Sequence, residues 1–373
     1  MPALSEPPLN REPELASLAA SFLTDISIRS YDRNHCPIPA SLDASVHRVC
    51  VNGLVDNPLD LSISDLHNDF PQHDVTCLLQ CAGNRRHTMR TLQKEVDGVD
   101  WGSAAVMNCS WRGPRLRDVL LRAAPSLVDG DGDMHKQLHV AFACNAVPCQ
   151  DDSWYGASID MGRALCEHAD VILALEMNGA PLTPEHGFPV RVIVPGVAGA
   201  RAVKWLDCIT VQRQMSGNHY MHFDYKILPE EADSAESARA FWHKVPPVID
   251  MPVNSAITSP TDGVTVEVDA EGFVAVGGYA LPGGEDGPVT RVEVSADGES
   301  WVDAELFTHH MESKWTWKLW KAKVRIEPGE QRCLYSRATD KGGNSQPQRS
   351  QWNLRGVCYN GYGEVRDLKV VRR

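Results

Sequence analysis

The sequence predicts an α+β protein, a mixed α/β domain followed by an immunoglobulin-like β-sandwich. Three observations carry this expectation. The chain has 373 residues, more than one typical domain holds. Helix-like and strand-like runs mix between about residue 45 and residue 225. From Asn254 onward only short alternating runs recur, separated by turn residues. The expected division is an N-terminal extension over 1–30, a first domain over 31–250 and the sandwich over 251–373.

In the first domain, Asp74 to Leu79 reads as a buried strand that runs into Gln80-Cys81-Ala82-Gly83-Asn84. Pro114 to Ala124 reads as a helix, with proline at its start and Leu116, Val119 and Leu120 on one face. Val171 to Met177 reads as a strand that meets the hairpin signal Asn178-Gly179. Val190 to Val194 and Val203 to Val211 add further strands. Gln214 to Pro252 is polar and irregular, with Pro229, Pro246 and Pro247, and reads as a crossing segment. The sandwich strands expected are Val264 to Val268, Phe273 to Tyr279, Val289 to Val294, Lys314 to Trp320, Lys323 to Ile326 and Cys333 to Ala338. Thr261-Asp262-Gly263, Pro282-Gly283-Gly284 and Asp297-Gly298 turn between them.

Charge and composition narrow the function. A net charge of -13 argues against nucleic-acid binding, which depends on basic side chains neutralising phosphates. It also means that a site for a small anion needs its own cluster of cations. No stretch approaches about 18 consecutive apolar residues, so no membrane-spanning helix is expected. Met1 to Glu14 is Pro-rich and acidic and lacks the pattern of a secretory signal, and its single Arg11 does not make a transit peptide. The C-terminal Val-Val-Arg-Arg is no peroxisomal address. The expectation is an intracellular, cytoplasmic protein; a peroxisomal one without a recognisable C-terminal signal is the alternative. Neither GxGxxG nor a P-loop occurs, so no standard nucleotide motif holds a cofactor. The eleven cysteines include no CxxC pair; Cys77-x3-Cys81 and Cys144-x4-Cys149 are the closest spacings, and neither has a second pair at zinc-site distance. Most of these thiols are expected to be buried small hydrophobes.

Three segments carry potential chemistry. In Gln80-Cys81-Ala82-Gly83-Asn84-Arg85-Arg86, a strand delivers one cysteine into a small-residue turn followed by two arginines. Cations favour the thiolate, the form that binds metals. Tyr31-Asp32-Arg33-Asn34-His35 is a dense polar cluster stiffened by Pro37 and Pro39. Glu185-His186-Gly187-Phe188-Pro189-Val190-Arg191 leads through a strand to Gly199-Ala200-Arg201-Ala202-Val203-Lys204-Trp205. Small residues beside His, Arg and Lys suit an oxyanion or phosphate held by backbone N–H groups and cations. Taken singly, each segment also fits a buried cysteine or a solvated loop.

Taken jointly, the chain resembles the sulfite oxidase family. The resemblance rests on Cys81-Ala82-Gly83-Asn84-Arg85-Arg86, Tyr155-Gly156-Ala157-Ser158-Ile159, Glu176-Met177-Asn178-Gly179, His186-Gly187-Phe188-Pro189, Pro195-Gly196-Val197 with Gly199-Ala200-Arg201, and Trp352-Asn353-Leu354-Arg355-Gly356, in that order. It spans Tyr31 to Val357. It implies a sulfite-oxidase-type molybdopterin domain and an immunoglobulin-like domain that makes a homodimer. It implies molybdenum bound to molybdopterin and to the Cys81 thiolate. Tyr31, Asp32, Arg33, Asn34, His35, His186, Arg191, Ala202, Val203 and Lys204 match pterin and phosphate contacts. Arg33, Arg86, Trp101, Tyr225 and Arg355 match the substrate pocket. Ala202 departs from the family's usual serine, and Asn145, Asp151 and Asp152 all remain candidates for one pterin-contacting acid. Cys36 and Cys77 match no functional cysteine and are expected to be structural.

The implied reaction is molybdenum-dependent oxidation of sulfite to sulfate by oxo transfer. The sequence contains neither a His-Pro-Gly-Gly haem motif nor CxxCH. It therefore resembles the haem-free, plant-like form, which implies oxygen as electron acceptor and hydrogen peroxide as by-product. Assimilatory nitrate reductases are similar in the cysteine motif and both domains, but typically lack the Tyr225 equivalent and carry methionine in place of Arg355. A cofactor-less binding protein is the reading from a different class; Cys81 and its cations argue against it.

Overall fold

A computed structural model describes residues 7–27, 30–125 and 138–372. The first domain is built on two large sheets and a smaller two-stranded one. In the first, the strand Gln72–Gln80 pairs with Val106–Pro114 along its whole length, and Glu176–Met177 and Ala180–Pro181 extend the other side. In the second, the order is Leu59–Ser62, Arg48–Gly53, Cys208–Gln212, His139–Cys144 and Tyr155–Asp160, with the first contact of Cys208–Gln212, to Arg48–Gly53, parallel. Val49, Val51, Val140, Phe142, Ile209 and Val211 are fully buried beneath this sheet. Burial of such side chains contributes roughly 1.5–3 kcal/mol each.

The expected buried strand before Cys81 is present, and its last four residues are all buried. The expected helix is shorter and starts later, at Leu116–Ala123. Pro114 instead ends the strand Val106–Pro114, paired with Gln72, and Arg115 is still extended. A proline at a strand end loses no ladder hydrogen bond it could have donated. Leu116, Val119 and Leu120 face the core as the periodicity predicted.

The run Val171 to Met177 is two strands. Ile172–Ala174 pairs with Arg191–Ile193, whereas Glu176–Met177 turns back on Ala180–Pro181. Asn178 and Gly179 both have positive φ, at 51° and 79°, the conformation a tight two-residue hairpin requires. The run Val203 to Val211 is extended only over Cys208–Gln212, because Trp205 adopts a left-handed φ of 52° just after the 3-10 turn Gly199–Arg201. That break leaves Ala202 and Lys204 beside the cavity described below instead of in a ladder.

The second domain is a sandwich. One sheet runs Asn254–Ser259, Phe273–Leu281, Lys318–Arg325, Glu305–Leu306. The other runs Thr265–Val268, Gly363–Arg372, Gly329–Asp340, Val289–Ser295, Val302–Asp303. Val, Ile and Leu from both inner faces, with Trp320, fill the space between. The two runs expected at Lys314 to Trp320 and Lys323 to Ile326 are a single strand preceded by a turn. In that turn Trp315 and Trp317 leave the sandwich and pack on the first domain, their indole nitrogens donating to Asp170 and to the Phe22 carbonyl. The C-terminal strand Gly363–Arg372 and the strand Asn254–Ser259 have no counterpart among the expected runs.

Arg85 joins the two domains. It sits at φ 67° in the left-handed region, fully buried, and donates to Asn254 Oδ1 and to the carbonyls of Ser255, Gly361 and Tyr362. A non-glycine residue there is strained. Four acceptors on a planar guanidinium over the Tyr359 ring hold it in place. The N-terminal segment also docks: Asn10–Arg11 pairs with Asp32–Arg33, and the Glu12 carboxylate accepts from the backbone N–H groups of Gly102 and Ala104.

Candidate active site

A cavity opens between the end of Gln72–Gln80, the segment around Tyr31–His35 and the turn before Lys204. Tyr31, Arg33, Asn34, His35, Cys81, Arg191, Ala202, Lys204 and Tyr225 line it. Residues from five separate stretches of sequence thus converge. Cys81 is buried, its backbone N–H bonded to the Ala105 carbonyl. Burial pushes its thiol up, while Arg86, the Gly83 N–H and Arg33 pull the other way. A metal cation at that sulfur would displace the proton outright. Arg86 is fixed behind it, donating to the carbonyls of Arg355 and Val99. A Cβ at Gly83 would lie 2.6 Å from the Arg86 guanidinium, so the small residue after Cys81 is needed for close approach.

His35 is neutral: burial, then Arg33, depresses it well below the usual histidine range. Arg33 Nη2 lies 3.1 Å from His35 Nδ1 and can only donate, so His35 Nε2 carries the hydrogen. Nε2 is 2.6 Å from Tyr225 Oη and donates to it. The phenol O–H of Tyr225 is thereby left to donate elsewhere. Asp224, which precedes Tyr225, is buried; burial opposes its charge, but Arg355 and the Tyr225 N–H hold it below the usual carboxylate range. Trp101 does not line the cavity; it packs in the same apolar cluster as Cys81 and Tyr31. Its indole N–H has no hydrogen-bond partner among the described residues.

The opposite wall is cationic. Lys204 donates to Asn34 Oδ1 and to the Glu185 carbonyl, and burial together with Arg191 depresses it to about 7. Arg191 donates to the carbonyls of His186 and Ala202, and burial lowers it to about 10. His186 sits behind this wall with its ring bonded to Thr183 and Ser30. Burial holds it near 3, so its 3.6 Å approach to Asp32 is not an ion pair. Asp32 instead pairs with Arg11. Val203 is a core side chain whose carbonyl accepts from Val192.

These residues fit an anionic, hydrogen-bonding cofactor. Burial depresses both Lys204 and Arg191, and Arg191 lowers Lys204 further; an anion bound beside them would favour their charged forms. Asn34 Nδ2, Arg191 Nε and Asp32 Oδ1 are buried without partners among the described residues, which is costly unless a ligand meets them.

The three acid candidates lie elsewhere. Asn145 is engaged with Asp207, Asp152 caps the helix His219–His222, and Asp151 meets the Tyr220 hydroxyl. None lines the cavity. Sequence reasoning also missed residues. Asp224 is one; it precedes Tyr225, but nothing in the spacing pairs it with Arg355, 131 positions away. Tyr155, within a quoted motif, lines the cavity with its hydroxyl on the Ala200 carbonyl. Cys36, expected to be merely structural, also lines it.

Comparison with known proteins agrees with this arrangement. Residues 35–220 match the oxidoreductase molybdopterin binding domain, and residues 245–367 match the Mo-co oxidoreductase dimerisation domain. The chain is 37% identical to sulfite oxidase of Arabidopsis thaliana, over 96% of this chain and 91% of that one. It belongs to the sulfite oxidase family. Mitochondrial sulfite oxidase of Rattus norvegicus is 41% identical over 97% of this chain, which spans 64% of the rat protein's length. Nitrate reductase [NADH] 1 of rice is 38% identical over 96% of this chain and 40% of that protein. The crystal structure of the sulfane dehydrogenase SoxCD from Paracoccus pantotrophus superposes with a TM-score of 0.75 at 24% identity, covering 97% of this chain and 85% of that one. That likeness concerns the fold. Membership in the family makes the cofactor the molybdenum–molybdopterin group, and the α+β architecture with its dimerisation domain is the one expected from the sequence.

Proposed function

We propose that the chain oxidises sulfite to sulfate at molybdenum bound through Cys81. The observation that carries the reading is the cavity that places Cys81 with Arg33 and Tyr225, backed by Arg86 and by an Arg355 that arrives from the second domain. Molybdenum, held by molybdopterin and the Cys81 thiolate, supplies the oxygen-atom and two-electron chemistry. Tyr31, Asn34, Arg191, Ala202 and Lys204 hold the pterin and its phosphate, with His186, Asp32 and Val203 supporting that wall. Arg33, Arg86 and Arg355 draw a dianion in; one charge pair at about 4 Å and an effective dielectric near 20 contributes roughly 4 kcal/mol before desolvation. Tyr225, receiving a hydrogen bond from His35, turns its own O–H toward a substrate oxygen. Trp101, packed in the apolar cluster with Cys81 and Tyr31, backs that side of the pocket.

Two finer points belong to the same proposal. Oxygen accepts the electrons, with peroxide as product; the 37% identity to the Arabidopsis thaliana enzyme, rather than any feature of the cavity, supports this. The dimerisation domain, with its sandwich, makes a homodimer; the family match over residues 245–367 supports this. The cytoplasm is the proposed compartment. A specific observation keeps nitrate reduction in view, the 38% identity to the rice enzyme. Turnover of purified holoenzyme with each anion and an artificial electron carrier tests the choice. Sulfite-dependent turnover with oxygen uptake is expected; nitrate turnover without sulfite turnover would overturn it.

A further inference from the structure

We propose that Cys36 and Cys149 form a peroxide-responsive dithiol in the wall of the cavity, one that closes reversibly to a disulfide. The inference does not depend on which anion the protein oxidises. Cys36 ends the segment that supplies Tyr31, Arg33, Asn34 and His35, and it lines the cavity. The Gln150 N–H donates to the His35 carbonyl at 2.9 Å, which sets residues 149 and 36 side by side. The Cys149 N–H bonds the Asp152 carbonyl at 2.8 Å and fixes the turn. The two side chains are neighbours, and each residue is only 2% exposed. Two neighbouring cysteines on adjacent, anchored backbones are placed where a disulfide can close.

The surroundings divide the roles. Cys36 is lowered by its hydrogen bond with Cys149, against burial, and by Lys204 and Arg33. Cys149 is raised by its bond with Cys36, by burial and by the neighbouring Cys144 and Asp152. Cys36, which lines the cavity beside these cations, is therefore the attacking thiol, and Cys149, behind it, the resolving one. Two other cysteine pairs are close but less suited. Cys77 and Cys109 face each other across paired strands, yet neither lines the cavity, and burial drives both thiols up. Cys50 lies opposite Cys208, and burial with Cys208 pushes it up to about 12.

In the first step the Cys36 sulfur displaces hydroxide from hydrogen peroxide, giving a sulfenic acid and, with one proton, water. In the second the Cys149 sulfur attacks that sulfenic acid, forming the S–S bond and releasing a second water. The two thiols are oxidised and the peroxide is reduced; thiol reductants reverse the change. The bond would staple the cavity wall to the loop at Gln150 across roughly 110 residues of intervening chain, a closure that stabilises the folded state.

Holoenzyme is treated with hydrogen peroxide, alkylated without reduction and mapped by mass spectrometry. The expected product is a Cys36–Cys149 linked peptide that dithiothreitol abolishes, with a melting temperature about 5 °C higher in the oxidised form. In Cys149→Ser, peroxide should leave Cys36 trapped by dimedone as the sulfenic acid adduct. Recovery of both cysteines alkylated singly, or linkage of Cys36 to another cysteine, overturns the proposal. The wild-type mapping stands whether or not the variant folds.

Discussion

Arg355 and Asp224 meet through a single oxygen: Arg355 Nε and Nη2 lie 3.1 and 2.9 Å from Asp224 Oδ1, which also accepts the Tyr225 N–H at 2.7 Å. One carboxylate thus aligns an arginine of the second domain with a tyrosine of the first, beside the Cys81 cavity. Loss of either partner would leave a buried charge unpaired.

Arg355→Met should therefore act on both substrate binding and stability. The Michaelis constant for sulfite is expected to rise tenfold or more, equivalent to about 1.4 kcal/mol. Breaking the buried pair should also cost about 3–5 kcal/mol of stability. The double variant Asp224→Asn/Arg355→Met separates the two effects. Denaturant titration should show recovered stability, while the Michaelis constant stays high. Unchanged sulfite kinetics in a fully metal-loaded single variant would remove Arg355 from the site.

Cys81→Ser should abolish turnover, because an alcohol is a poor substitute for a soft thiolate ligand. Full activity with normal molybdenum content would refute the assignment of Cys81 as the metal ligand.

Arg85→Met tests the domain joint. The change removes a donor from Asn254 Oδ1 and from three backbone carbonyls, all in the second domain, although Gln346 still donates to Asn254 Oδ1 and to the Gly361 carbonyl. Buried acceptors without donors cost about 1–3 kcal/mol each, partly relieved by relaxation. Calorimetry should show a melting temperature lowered by several degrees, with the transition broadened or split into two. A variant that melts like wild type would show that the joint lies elsewhere.

His186 gives a pH signature. Its folded-state value, about 3, lies below the ordinary histidine value, so the unfolded chain binds the extra proton. Its contribution is fully present above about pH 6.5 and is lost as the pH falls toward 3. Between pH 7 and pH 5 this one group should cost the wild type about 1–2 kcal/mol. His186→Gln should lose less stability over the same interval in urea titrations; parallel curves for the two proteins would contradict the burial argument.

Much was legible in the sequence because it is local. The strand before Cys81, the core face of Leu116, Val119 and Leu120, the Asn178-Gly179 turn and the alternating texture of the sandwich all follow from nearest-neighbour periodicity and turn chemistry. The spaced motifs identified the family and drew attention to Cys81, the Tyr31–His35 cluster and the Arg191–Lys204 wall before any geometry was known. Tertiary structure alone decided the rest. It ended one strand at Pro114, merged two expected strands into Lys318–Arg325 and left Lys204 beside the cavity, since long-range pairing and burial override local propensity. It paired Asp224 with Arg355 and set Cys36 against Cys149, contacts between residues more than a hundred positions apart. No sequence spacing encodes such meetings. They arise because two sheets and a sandwich close around one cavity, and the groups caught inside must find partners there.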